Sequence, residues 1–130
     1  LGHSDADALA HAVIDALLGA CALGDIGQHF PDSDEAFRGI SSLLLAKEAA
    51  ARIRAAGFET VNIDSVITAQ KPKLAPFREA MRANLAKALG VPPENIGVKF
   101  TTPEGTGPEG NLECITVRAV AAVRKVRIQC

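Results

Sequence analysis

An α/β sandwich, with helices packed on one face of a mixed β-sheet, is the fold this sequence predicts. Three observations carry it. Apolar residues make up 48 % of 130 residues, enough for one core and one domain spanning 1–130. Long segments with apolar residues three and four apart alternate with short runs rich in β-branched residues. Gly24, Gly57 and Gly90 stand where helical spacing breaks off, the usual place for a C-terminal stop.

The elements follow in order. The first helix is expected over 7–23, with Leu9, Val13, Leu17 and Ala20 as its buried stripe and Gly24 as its stop. Residues 25–34 are rich in turn formers and carboxylates and read as a loop. The second helix starts at Ser41 or Ser42, an N-cap choice, and ends at Gly57. Residues 61–69 read as a strand. A basic turn, Gln70-Lys71-Pro72-Lys73-Leu74, precedes a third helix over 76–89 that stops at Gly90. Residues 96–101 form a strand, 102–111 a Gly/Pro-rich loop and 113–128 a long strand. The order α, α, β, α, β, β makes the sheet and its helical cover.

Charge and composition exclude several classes. Fourteen basic and fifteen acidic residues nearly cancel, so no nucleic-acid or membrane surface is indicated. Trp and Tyr are absent, which removes base-stacking platforms. The longest apolar stretch, 8–23, contains His11 and Asp15 and is too short to span a bilayer. No targeting segment is visible. Cys21, Cys114 and Cys130 lack metal-type spacing, and Cys21 falls on a helix's apolar face as a buried free thiol, which suits a reducing compartment.

The residues with chemical potential gather at the start. His3, Ser4, Asp5, Asp7 and His11 fall within nine positions. Asp7 and His11, four apart, share a helix face. His3 and Ser4 precede that helix, where free backbone N–H groups welcome an anion. His11 is either a zinc ligand with Asp7 as co-ligand or supporting acceptor, or a hydrogen-bonded, half-buried histidine beside a helix-capping Asp7. Asp25, Asp32 and Asp34 suit sugar hydroxyls or a hard cation, and equally suit turn chemistry. Thr101, Thr102, Pro103 and Glu104 place hydroxyls and a carboxylate at a strand exit, able to meet phosphate and a divalent ion. Lys71 and Lys73 offer point charges around Pro72, either for a phosphate or for solvent.

These pieces coincide with a known pattern. The runs 3–7, His11 and 15–20 resemble the 2-C-methyl-D-erythritol 2,4-cyclodiphosphate synthase family. So do 23–27, Phe30-Pro31-Asp32-Ser33-Asp34, Ala36-Phe37-Arg38-Gly39, Asn62-Ile63-Asp64, 69–74 and Val98-Lys99, in the family's order and without gaps. The resemblance implies an enzyme of isoprenoid precursor synthesis that converts 4-diphosphocytidyl-2-C-methyl-D-erythritol 2-phosphate to the cyclic diphosphate with release of CMP. It implies zinc, a second divalent ion (magnesium or manganese) and a homotrimer with shared active sites. It also implies a bacterial cytoplasmic or plastid stromal location, and in some members fusion to an upstream cytidylyltransferase.

The resemblance also assigns roles. His11 is a zinc ligand and Asp7 supports it. His3 and Thr102 stabilise the transition state, Ser4 contacts the attacking phosphate, and Glu104 sits near the second metal. Asp25 and Gly27 meet the ribose, and Ile26 lines the site. Phe30, Pro31, Asp32, Ser33 and Asp34 close over the erythritol. Ala69, Gln70, Lys71, Pro72, Lys73, Leu74 and Ala75 form the cytosine pocket, and Thr101 and Pro103 are substrate-binding residues. The family's other two zinc ligands form an upstream Asp-x-His, which this chain lacks. The expectation is therefore an N-terminally incomplete domain, with a non-catalytic cytidine-nucleotide-binding trimer as the alternative. Pro108 and Asn111 replace an aromatic and an arginine, and Arg118 replaces a glutamate, around the family's axial isoprenoid cavity.

Overall fold

A computed structural model describes residues 2–37, 39–70, 75–111 and 115–126, with side chains from Ala6 onward. The first helix, α1, spans Gly2–Ala20 and begins five residues before its expected start. Positions 3 and 4 therefore lie within its first turn, not ahead of it. Once the Ala- and Leu-rich turns are formed, each added residue gains one backbone hydrogen bond, so the helix extends through Ser4 and Asp5. Leu9, Val13 and Leu17 are buried as expected, together with Ile14 and Leu18. Ala20 is exposed, and the stripe ends on buried Cys21, four residues after Leu17. The left-handed residue that ends the helix is Ala22, at φ 56°, not Gly24. The Leu23 N–H closes the turn onto the Leu18 carbonyl at 2.9 Å.

The expected loop contains one helical turn, α2 (Ile26–His29). Helix α3 (Ser42–Ala55) is capped by Ser41, whose hydroxyl accepts from the Leu44 N–H at 3.2 Å. Strand β1 (Phe58–Thr68) starts three residues early, because its first residues pair with the end of the last strand, Phe58 opposite Lys125. A 3₁₀ turn, Ala75–Phe77, leads into α4 (Arg78–Leu89), which Gly90 ends in the left-handed conformation at φ 71°. Strand β2 is Ile96–Thr101, as expected. The following loop carries a single turn, α5 (Gly107–Gly110), before β3 (Thr116–Lys125). Positions 115 and 126, expected in this strand, lie just outside it, and the expected extensions into 113–114 and 127–128 lie outside the described residues.

The sheet order is β2-β1-β3, with β1 parallel to β2 and antiparallel to β3. It is therefore mixed, and the helices lie on one of its faces. Alternation assigns that face: Ile63 and Ile67 of β1 and Ile96 and Val98 of β2 are buried against the helices. The small residues Ala46, Ala49 and Ala50 of α3 are buried too and let it pack closely on α1. Ser65, 2 % exposed, donates its hydroxyl to the Gly97 carbonyl at 2.7 Å, so the polar group in this layer is satisfied. The opposite face carries Asp64, Lys99, Arg118 and Val120, the last 72 % exposed. No described helix is long and apolar enough to cross a membrane.

Candidate functional site

One stripe of α1 organises the site. Asp7, His11 and Asp15 follow at intervals of four and share a face. The Ser42 hydroxyl, at the start of α3, donates to the Asp7 carboxylate. The Ile26 N–H, at the start of α2, donates to Asp15 Oδ1 at 3.1 Å. Both flanking carboxylates thus fasten neighbouring segments to α1. His11, between them, is exposed and lines a cavity of about 420 Å³ with Ile26, Gly27, Phe30, Pro31 and Asp32. Of the two readings of Asp7 and His11, the half-buried histidine does not describe this exposed ring.

The segment facing His11 is held by local chemistry. Asp25 caps α2, accepting from the Gln28 N–H at 2.8 Å, while Gln28 Oε1 accepts from the Asp25 N–H at 3.0 Å. Gln28 reaches back across Gly24, whose φ of 99° and missing Cβ leave room for the amide. Phe30, 6 % exposed, anchors the next loop in the core and meets Phe37 edge-on at 5.1 Å between centroids. Asp32, Ser33 and Asp34 stay exposed between these two rings. Asp34 turns inward on its own loop, its carboxylate accepting from the Ala36 N–H at 2.9 Å.

The second part of the site forms where β1 and β2 end side by side. The Ala69 N–H donates to the Thr101 carbonyl at 3.2 Å. Gln70 Oε1 accepts from the Gly105 N–H at 2.8 Å and from the Thr102 hydroxyl at 3.3 Å. The Glu104 N–H donates to Thr102 Oγ1 at 3.2 Å, and Glu104 holds a left-handed φ of 55°. The Gln70 side-chain carbonyl thus braces the Thr102–Gly105 turn. The two blocks that the sequence separates by some thirty positions are thereby joined. Downstream, the Glu109 carboxyl is held below its usual value by its own backbone N–H and by the Thr116 hydroxyl at 2.9 Å.

Two other features lie away from these groups. Burial pushes the Cys21 thiol up, as expected of an inert structural cysteine. A larger cleft of about 760 Å³ runs along β2 between Asp64, Lys99, Arg78 and Phe100, with the Arg78 guanidinium 5.1 Å from the Phe100 ring centre. It contains none of the groups assigned to the site.

Several expected residues fall outside what is described: the side chains of His3 and Ser4, and the whole of Lys71, Pro72, Lys73, Leu74 and Arg38. Cys114 and Cys130 do so as well. Ala75 opens the 3₁₀ turn before α4, and Pro103 lies between Thr102 and Glu104 in the braced turn. Ser42, Asp15, Gln28, His29 and Arg52 shape the site without having been expected there. Asp15 carried a signal, being four residues beyond His11 on the same face; Ser42 and Arg52 are distant in sequence and carried none.

A zinc ion that does chemistry takes three protein ligands and an open position. Among the described residues no group of three His, Cys, Asp or Glu side chains is placed to hold an ion. Asp7 and Asp15, the carboxylates nearest His11 along α1, are engaged by Ser42 and Ile26. The described residues therefore do not make up such a centre by themselves.

The model of the YgbB family matches residues 1–124. The 2-C-methyl-D-erythritol 2,4-cyclodiphosphate synthase of Verminephrobacter eiseniae is 58 % identical over 123 residues, covering 95 % of this chain and 67 % of that protein. Among solved structures, the bifunctional IspDF from Campylobacter jejuni superposes with a TM-score of 0.86 at 42 % identity, over 91 % of this chain and 32 % of that one. A 2C-methyl-D-erythritol-2,4-cyclodiphosphate synthase in its CDP-bound form superposes at 0.82 and 40 % identity, over 95 % of this chain and 80 % of that one.

Proposed function

The chain belongs to the YgbB family, and from that premise we propose that it closes a cyclic diphosphate. The substrate is 4-diphosphocytidyl-2-C-methyl-D-erythritol 2-phosphate. An oxygen of its 2-phosphate forms a bond to the β-phosphorus. The bond from that phosphorus to the bridging oxygen breaks, and its electron pair leaves with CMP. The observation that best supports this reading is the cavity that gathers His11, Ile26, Gly27, Phe30 and Asp32 from α1, α2 and the following loop. The non-catalytic alternative is not favoured, because relatives matching nearly the whole chain are named as synthases.

The physical obstacle is an anion attacking an anion, so the protein must neutralise charge and fix geometry. In this reading His3 and Ser4 hold the attacking phosphate, and the Thr102 hydroxyl stabilises the charge that builds at the β-phosphorus. Asp25 and the Gly27 backbone hold the ribose, Asp32 accepts from erythritol hydroxyls, and residues 69–75 take the base. His11 is one zinc ligand, its companions supplied from outside the described residues, and Glu104 serves a second ion, magnesium or manganese. Bound cations would neutralise phosphate charge there. The reading carries with it a homotrimer with sites shared between subunits, which Val120, 72 % exposed on the sheet face opposite the helices, supports. It also carries a bacterial cytoplasmic or plastid stromal location. Fusion to an upstream cytidylyltransferase is supported by the bifunctional relatives.

The test is CMP release by the full-length protein supplied with zinc and magnesium. CMP and cyclic diphosphate should appear in equal amounts by phosphorus NMR. Zinc-loaded protein that binds substrate and releases no CMP would overturn the reading. His11→Ala should lose both bound zinc and CMP release while keeping its oligomeric state; undiminished zinc content would make His11 structural.

A further inference from the structure

We propose that Arg52 is a positioning residue for the 30–34 loop, holding in place the part of the site that receives the erythritol end of the substrate. The inference rests on the assignment of that loop given above. Arg52 lies in the last turn of α3, and its side chain is 32 % exposed. Its Nη1 stands 3.0 Å from His29 Nδ1 and 3.1 Å from the His29 carbonyl oxygen. The same guanidinium lies 4.5 Å from the centre of the Phe30 ring and 5.7 Å from that of Phe37. Its Nε donates to Glu48 Oε1 at 3.3 Å, which fixes the plane of the fork.

The imidazole completes the clamp. His29 Nε2 stands 2.8 Å from the Leu23 carbonyl, which can only accept. The ring hydrogen therefore sits on Nε2, and the lone pair of Nδ1 accepts from Arg52. One guanidinium thus ties together the exit of α1, the end of α2, and both aromatic ends of the loop. Between those ends, the described hydrogen bonds of 31–36 stay within the loop: Asp34 N–H to the Pro31 carbonyl at 3.0 Å, Ala36 N–H to the Asp34 carboxylate, and Phe37 N–H to the Asp34 carbonyl at 3.0 Å. Where Asp32 stands over the cavity is consequently set by Phe30 and Phe37, and both rings lie under Arg52. A lysine cannot stack on two rings and donate in the ring plane at once, because its ammonium is a point charge rather than a planar fork.

The test uses the full-length protein and reads KM against kcat. CMP lacks the erythritol end, so its affinity reports on the cytidine end alone. Arg52→Met, which keeps the aliphatic stem, should raise KM for the substrate about ten-fold, the size of a lost charge-assisted hydrogen bond. kcat and the Kd for CMP should stay within about two-fold. Arg52→Lys should recover part of the lost affinity. Phe37→Leu, which removes one ring from the clamp, should give the same selective rise in KM, and serves if Arg52→Met does not fold. An unchanged KM, or a parallel weakening of CMP binding, would overturn the inference. No CMP release by the unmodified protein would overturn instead the assignment on which it rests.

Discussion

Asp25 offers a test in which stability and binding separate. One carboxylate oxygen accepts from the Gln28 N–H at 2.8 Å and caps α2. The side chain is otherwise exposed, which leaves its second oxygen to a ribose hydroxyl in the proposed reading. Asp25→Ala removes both functions. Loss of an N-cap costs about 1 kcal/mol. In a domain of 130 residues that lowers Tm by about 4 °C. Asp25→Asn keeps the cap, since asparagine caps as well as aspartate, and should melt within about 1 °C of the unmodified protein. Binding ranks differently. A hydrogen bond to a charged acceptor contributes about 1.5–3 kcal/mol, so Asp25→Ala should weaken CMP binding by about ten-fold or more. Asp25→Asn still accepts through a neutral oxygen and should fall between. Differential scanning fluorimetry and calorimetric titration with CMP read the two effects on the same samples. If Asp25→Asn melts as low as Asp25→Ala, the cap is not what the carboxylate contributes. If neither variant binds CMP more weakly, Asp25 does not touch the nucleotide.

Two further outcomes concern stability alone. Ala22 closes α1 at φ 56°, a conformation that costs an L-residue about 1–2 kcal/mol, so Ala22→Gly should raise stability by about 0.5–1 kcal/mol in urea titration despite glycine's larger unfolded-state entropy. A loss of stability would mean the exposed methyl contributes more than the strain costs. Lys99, whose Nζ donates to Asp64 at 2.8 Å, holds the Asp64 carboxyl below its usual value of 3.8. The folded state thus favours the ionised form, and the resulting stability is present above pH 3.8 and lost as pH falls through the lowered value. The Tm gap between the unmodified protein and Asp64→Asn should be full near neutral pH and close in acid; a gap independent of pH would assign it to packing.

What the sequence made legible is what local physics decides. Helix ends at Ser41 and Gly90, strand β2, the buried face of α1 and the burial of Cys21 each depend on a few adjacent residues. What was not legible depends on pairing across the fold. The early start of β1 requires β3 to supply Lys125 and Arg124, distant in sequence, as partners for Phe58 and Glu59. Gln70 fits any basic turn until β1 and β2 end together and bring Thr102 and Gly105 within reach of its amide. Arg52 reads as one more charge on an exposed helix face, and only the return of the 29–37 segment over α3 gives it two rings and an imidazole.

The spacing of α1 explains why those tertiary contacts converge on His11. A helix repeats its face every three to four residues, so Asp7, His11 and Asp15 form a row. The outer two carboxylates are each bound to the first residue of another helix, Ser42 of α3 and Ile26 of α2. These two segments bracket the loop that carries Asp32, and their joint attachment fixes the loop's ends relative to the central member of the row. His11 could be moved along α1 by one residue only at the cost of leaving this bracket, since a shift of one position turns a side chain by about 100°. The cavity is therefore specified by an interval of four repeated twice. A histidine outside that interval would be an exposed surface residue and nothing more.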